Sequence, residues 1–311
     1  MSIYTERLRP VLRRQLFNLV PGPRHATKYV TVAGLPRSGT SWLAKVLALA
    51  PGVFYYFEPD QCLDSELRYR FVPPGEGNNE IRANISSCLR GELYSDYITA
   101  ELGFKQILGK ARAETVLLKW VWLSFALDYV ADEFPQMKVL QIVRHPIPQF
   151  LSWRERNWDP AYSLKLLVSQ PALMNGPLRE HADRMGAALD GSYWEYAVAF
   201  WAAAVLMQQR AQARNATRGW LLQTHEWFCE DPEQRMRWLL GQLGMGWNEE
   251  IARFLDPQIK RASGPGYGKA RDPRHEIDKW KGVVPLDEQR EVERLIQSYG
   301  IDLYAVTGRT S

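Results

Sequence analysis

The chain has 311 residues, 46% of them hydrophobic and 24% charged, an ordinary balance for one large α/β domain or two small ones. Its formal net charge of +4 is too mild to signal nucleic acid, though it suits anionic ligands. The three cysteines, Cys62, Cys88 and Cys229, lie far apart with no C-x-x-C, which argues against structural zinc and for a reducing compartment.

Residues 1–28 read as an N-terminal arm. Leu8, Val11, Leu12, Leu16 and Leu19 share roughly one helical face, with Arg7, Arg9, Arg13 and Arg14 around them. Such a helix can lie on an anionic membrane surface or pack on the domain, and Pro21-Gly22-Pro23 ends it. The arginines interrupt any apolar core of a signal peptide, and no run of about 18 apolar residues follows. The expected location is cytoplasmic, and peripheral membrane contact through residues 1–20 is one of the arm's two readings, beside packing on the domain or a partner. The sequons at Asn84 and Asn215 are then idle.

Residues 29–311 read as one domain. A buried strand is expected at 29–32, then a loop punctuated by Gly34, Pro36 and Gly39, then a helix carrying Leu43, Val46, Leu47 and Ala50. Further strands are expected at 53–57, 115–119, 138–143 and 220–223. Helices are expected at 125–134 and 193–213, from Asp231-Pro232 to Gly244, and from Asp287 to Gly300. Residues 60–112 and 158–192 read as insertions, the second loop-rich because of Pro160, Pro171, Pro177 and Gly191. Alternating strands and helices imply a parallel sheet with ligands beyond the carboxyl ends of its strands.

Two stretches carry chemistry. In the first, Pro-Arg-Ser-Gly-Thr-Ser-Trp-Leu at 36–43, a strand-to-helix loop exposes backbone N–H groups at the positive end of a helix dipole. Arg37 adds a fork for phosphate, and Ser38, Thr40 and Ser41 add hydroxyls. Thr40 stands where a nucleoside-triphosphate P-loop needs lysine, which disfavours magnesium-dependent chemistry. In the second, Arg144 follows a strand and Ser152 lies eight residues on, a pairing suited to a phosphate monoester.

The octapeptide resembles the 5′-phosphosulfate loop of sulfotransferases, and Arg144 with Ser152 resembles their 3′-phosphate motif. The resemblance continues through Leu118-Lys119-Trp120, Thr224-His225-Glu226-Trp227, Gly268-Lys269-Ala270-Arg271 and Trp280-Lys281, covering roughly residues 29–303. It implies a P-loop-like sulfotransferase fold: an α/β parallel sheet flanked by helices, with helical and loop insertions on the acceptor side. It also implies 3′-phosphoadenosine 5′-phosphosulfate (PAPS) as donor, no metal, and an acceptor hydroxyl, of a sugar or glycolipid.

The resemblance assigns donor contacts to Arg37, Ser38, Gly39, Thr40, Ser41, Trp42, Arg144, Ser152, His225, Lys269 and Arg271. Cytosolic members carry a catalytic histidine near the position of Val121, which is absent here. Carbohydrate-type members use an acid after the second strand, and Glu58-Pro59 resembles that segment. Glu58, Arg37 and Lys119 are therefore the expected catalytic residues. Glu58 as a helix cap or salt-bridge partner is the structural alternative, with Asp60, Asp64 and Glu66 as substitute acids. Two other functions compete: a kinase or hydrolase on a variant P-loop, and a non-catalytic nucleotide-binding scaffold.

Overall fold

The computed structural model describes residues 10–99, 102–256 and 277–304. In chain order the strands are β1 (Lys28–Ala33), β2 (Val53–Phe57), β3 (Thr115–Trp120), β4 (Met137–Val143) and β5 (Leu221–Thr224). All pair in parallel, in the order β2-β3-β1-β4-β5. Every residue of β3 is buried, as a sheet covered on both faces requires.

The helices begin with α1 (Pro10–Leu19), α2 (Thr40–Ala48), α3 (Asn79–Leu89), α4 (Phe104–Gly109) and α5 (Leu127–Glu133). They continue with α6 (Pro146–Arg154), α7 (Pro160–Val168), α8 (Pro171–Met174), α9 (Ala182–Ala187) and α10 (Tyr193–Asn215). The chain closes with α11 (His225–Glu230), α12 (Pro232–Leu243), α13 (Glu249–Leu255) and α14 (Leu286–Ser298).

Odd and even strand positions feed different cores. Val30, Val32, Leu117, Leu140 and Ile142 pack with α2 and α12 on one face. Val116, Leu118 and Val139 pack on the other with α5, and Ala211 of α10 joins them. α1 belongs to this second core, because its Phe17 is buried against Phe54 and Tyr94. Lys110 Nζ donates to the Phe17 carbonyl at 2.8 Å and stands 3.7 Å over its ring.

Residues 158–192 are more helical than their prolines suggest. Pro160 and Pro171 open α7 and α8, where a missing N–H costs nothing and a fixed φ suits the first turn. Leu164, Leu167, Leu173 and Met185 then bury in the core that α10 shares. The two sequon asparagines are also buried, Asn84 donating to Pro59 O and Asn215 to Ala211 O, both at 2.9 Å. Among the described residues no helix is long and apolar enough to cross a membrane.

Candidate active site

The loop between β1 and α2 is held from below. Gln149 Nε2 and Trp153 Nε1, both on α6, donate to the Pro36 carbonyl at 2.9 and 3.0 Å. Gly39 turns the chain into α2 at φ 96°, a conformation open to glycine. A side chain there would also overlap the imidazole of His225, which packs directly on the turn. The first N–H groups of α2 have no acceptor within the helix and face the sheet's carboxyl end.

Arg37 has positive φ, 70°, and its Nε donates to Ser152 Oγ at 2.8 Å. Arg144 Nη1 donates to the Arg37 carbonyl at 3.2 Å, and Trp201 Nε1 braces the Arg144 carbonyl at 2.9 Å. The residues expected to hold the two ends of one ligand are thus bonded to each other. Arg144 Nε is buried without a hydrogen-bond partner, a charged donor set available to an anion.

Ser38 and Thr40 are buried, Ser41 and Trp42 partly so. Ser38 Oγ turns inward toward Gly34. With Gln149 Oε1 and Gln208 Nε2 it lines a cavity of about 10 Å³ beneath the loop, the size and polarity of a one-water site. Trp42 packs edge-on to His225 with ring centroids 6.0 Å apart.

At the end of β2, Glu58 takes a left-handed conformation, φ 49° and ψ 53°, and opens a short turn at Pro59–Cys62. Its side chain makes no cap bond. Instead Oε1 pairs with Nζ of Lys119. Oε2 accepts from Gln61 Nε2, and from the Tyr97 hydroxyl at 2.5 Å. Register explains the meeting: Lys119 lies beside Phe57 of β2 and beside Val32 of β1, two residues before Gly34. The acid–lysine pair and the loop between β1 and α2 therefore end neighbouring strands.

Asp60 is fully buried behind this pair. Its Oδ2 accepts from the N–H groups of Val121 and Trp122, at 2.7 and 2.6 Å, and locks the turn after β2 to the end of β3. Burial pushes its carboxyl up to about 6, against the pull of those two N–H groups. Asp64, by contrast, caps an exposed turn at Ser65–Leu67, and Glu66 is exposed in it.

The profile of the sulfotransferase family matches residues 30–249. The chain belongs to the sulfotransferase family. Among solved structures, this sulfotransferase is similar to the sulfotransferase domain of the Synechococcus PCC 7002 olefin synthase, at 15% identity and TM-score 0.50, over 91% of this chain and 99% of that one. The sulfotransferase domain from the curacin biosynthetic pathway aligns at 14% identity and TM-score 0.49, over 90% and 99%. A mouse sulfotransferase complexed with PAP aligns at 14% and TM-score 0.42, over 93% and 88%. No curated protein matches the chain.

Two features of this sulfotransferase escape sequence reasoning. Tyr97 reaches Glu58 from 39 positions away, out of an insertion with no readable motif. Glu226 lies in an enclosed cluster: it accepts from the His145 N–H at 3.0 Å and the Tyr304 hydroxyl at 2.8 Å, and burial raises its pKa. Trp280 stacks on His145 with centroids 4.7 Å apart, so the C-terminal segment covers the strand end that carries Arg144. Burial, with Lys281 and Arg144 nearby, lowers His145 to about 3; burial, with Arg144, lowers His225 to about 3. Both imidazoles are therefore neutral near pH 7. Lys269 and Arg271 lie outside the described residues. Among those residues, no group of three or more His, Cys, Asp or Glu side chains is placed to hold a metal ion.

Proposed function

We propose that this protein moves the sulfuryl group of PAPS to an acceptor hydroxyl, of a sugar or glycolipid, without a metal. The observation that carries this is the coupling of Arg37, Ser152 and Arg144 around the N-terminus of α2, with the Glu58–Lys119 pair at the ends of the next two strands. The chemistry of the donor set fits PAPS: two guanidinium groups, hydroxyls and unpaired helix N–H groups serve a nucleotide with phosphate at both ends.

In this reading Arg37, Gly39, Ser41 and the first N–H groups of α2 hold the 5′ end. Arg144 and Ser152 hold the 3′-phosphate. Trp42 and His225 flank the loop toward adenine, and Lys269 and Arg271 complete the donor contacts. Glu58 takes the proton of the acceptor hydroxyl as that oxygen bonds to sulfur, and the bond from sulfur to the bridging oxygen breaks. Lys119 and Arg37 offset the charge left on the phosphate side. The resemblance of Glu58-Pro59 to the base segment of carbohydrate-type sulfotransferases is what supports this acceptor class.

The arm supports a further element of this reading. Val11, Leu12 and Leu19 of α1 are 67%, 52% and 79% exposed, and Phe104 and Leu108 of neighbouring α4 are exposed as well. Arg14 and Lys105 stand among them, also exposed. This face suits peripheral contact with an anionic membrane from the cytoplasmic side, close to lipid-borne acceptors.

The deciding experiment compares thermal shifts. PAP, the donor product, should raise Tm more than ATP with magnesium does. Equal or reversed shifts would overturn the donor assignment and favour the kinase-like reading. Labelled PAPS with a panel of sugar and glycolipid hydroxyls then identifies the acceptor, and an enzyme that binds PAP but never turns over would be the scaffold instead.

A further inference from the structure

The proton of an acceptor hydroxyl must reach one carboxylate oxygen of Glu58, and that oxygen is already engaged. Three donors meet the carboxylate: Nζ of Lys119, Nε2 of Gln61 and the hydroxyl of Tyr97. Two are nitrogen donors, and Lys119 is fully buried in β3. Tyr97 brings an O–H, the same group that an acceptor would bring, at 2.5 Å from Oε2. Its residue is also 47% exposed and belongs to none of the buried cores, so its displacement by an acceptor would leave those cores closed. The ring rests on Phe57, with centroids 5.7 Å apart, in a turn of the 60–112 insertion outside any helix or strand.

A hydroxyl site beside a bound sulfuryl donor is exposed to a competing reaction. Water on Glu58 would attack sulfur, give its proton to the carboxylate and break the bond from sulfur to the bridging phosphate oxygen. The products are sulfate and PAP, and the donor is wasted. Filling the hydroxyl position with another group denies it to water, and closing a site against water is a general means of suppressing such hydrolysis.

We propose that the Tyr97 hydroxyl is a placeholder for the acceptor: it occupies the acceptor's hydrogen bond to Glu58, excludes water from the donor, and is displaced when the acceptor binds. This rests on the sulfotransferase reading above, with Glu58 as base. Tyr97 is a guard acting through Glu58 and takes no proton itself. The exposed ring makes Tyr97→Phe a mild change, since it keeps the contact with Phe57 and removes the oxygen alone.

The test uses the full chain and PAPS with no acceptor, measuring released sulfate. Tyr97→Phe should raise hydrolysis about tenfold, the size of one hydrogen bond to a charged group, with the thermal shift from PAP unchanged. Adding Glu58→Gln to that variant should abolish the gain, because water then has no base. Hydrolysis in Tyr97→Phe at or below the wild-type rate would overturn the proposal and make Tyr97 a partner that merely orients Glu58. A gain that survives Glu58→Gln would also overturn it. If wild-type protein shows neither a PAP shift nor sulfate release, the sulfotransferase reading itself fails, and the guard fails with it; a PAP shift with unaltered hydrolysis in Tyr97→Phe fails the guard alone.

Discussion

Lys119 in β3 and Glu58 at the end of β2 form a buried ion pair, with side chains 2% and 11% exposed. A buried pair is expensive to break, because each partner leaves the other as an uncompensated charge. It therefore has a signature in stability as well as in rate. Glu58→Gln should lower kcat by about 10²-fold or more while the thermal shift from PAP persists. The same change should cost about 3 kcal/mol of folding stability, because Lys119 keeps its charge. Adding Lys119→Met should recover part of that loss, a coupling that urea titration of the four proteins in the cycle would read. A Glu58→Gln enzyme at near wild-type rate would make the pair purely structural.

Arg144 is predicted to matter for the donor more than for the fold. Its guanidinium holds the Arg37 carbonyl at 3.2 Å and keeps a buried nitrogen without a partner. Arg144→Ala should abolish most of the PAP-dependent rise in Tm, and Ser152→Ala should reduce it less. The unliganded melting temperature should change little in either. Calorimetric titration with PAP checks the order of the two effects.

Gly39→Ala should damage both. The backbone sits at φ 96°, and the added methyl would overlap the His225 ring. Strain of this kind costs on the order of 1–3 kcal/mol. The turn would relax away from His225 and take the α2 N–H groups out of line. A lowered Tm with a lost PAP response is expected. A variant that binds PAP normally would show that the turn is not the anion site.

The pH dependence of stability carries two opposite contributions. Asp60 has a folded pKa of about 6, against 3.8 for an ordinary aspartate. Its contribution is full below pH 3.8 and falls by about 3 kcal/mol as pH rises through 6, since the unfolded chain ionises more easily. His145 and His225 act the other way. Their folded values of about 3 lie below the ordinary 6.5, so their contribution is full above 6.5 and falls as pH drops toward 3. Between pH 6 and 4 two imidazoles outweigh one carboxyl, so these three groups together favour loss of stability in acid. Urea titrations across this window should show a flatter acid limb for His225→Gln. Asp60→Asn should fare better relative to wild type at pH 7 than at pH 4.5.

The arm calls for a substitution rather than a truncation, because Phe17 is part of the core and deleting α1 would expose Phe54. Val11→Ser with Leu12→Ser changes exposed positions and leaves Phe17 seated. Wild-type protein should sediment with phosphatidylserine vesicles, less so in high salt, and the double variant should stay in the supernatant. No sedimentation of either would reduce α1 to a packing element.

The sequence by itself determined the local parts. β-branched and aromatic runs marked β1 and β2 most plainly, because strand preference is carried by short stretches of neighbours, while β5, Leu-Leu-Gln-Thr, carries little of that signal. The glycines and hydroxyls of 36–43 and the Arg144–Ser152 spacing marked two candidate anion motifs, because a loop at a helix N-terminus needs only adjacent residues. Capping is local too, yet easily misread: Asp159-Pro160 opens a helix in 158–192, where the prolines by themselves read as loop. What the tertiary structure decided was which parts meet. Arg37 bonds Ser152 across 115 positions, and Glu58 meets Lys119 across 61. These contacts follow from the order of the strands, with β3 between β2 and β1, and no local pattern encodes that order. It is set by the burial of both sheet faces against α2, α12, α5 and α10 and by closure of the long insertions. Tyr97 reaches Glu58 only because the 60–112 insertion folds back over that edge, and as one of three tyrosines in that stretch it carries no periodicity to announce it.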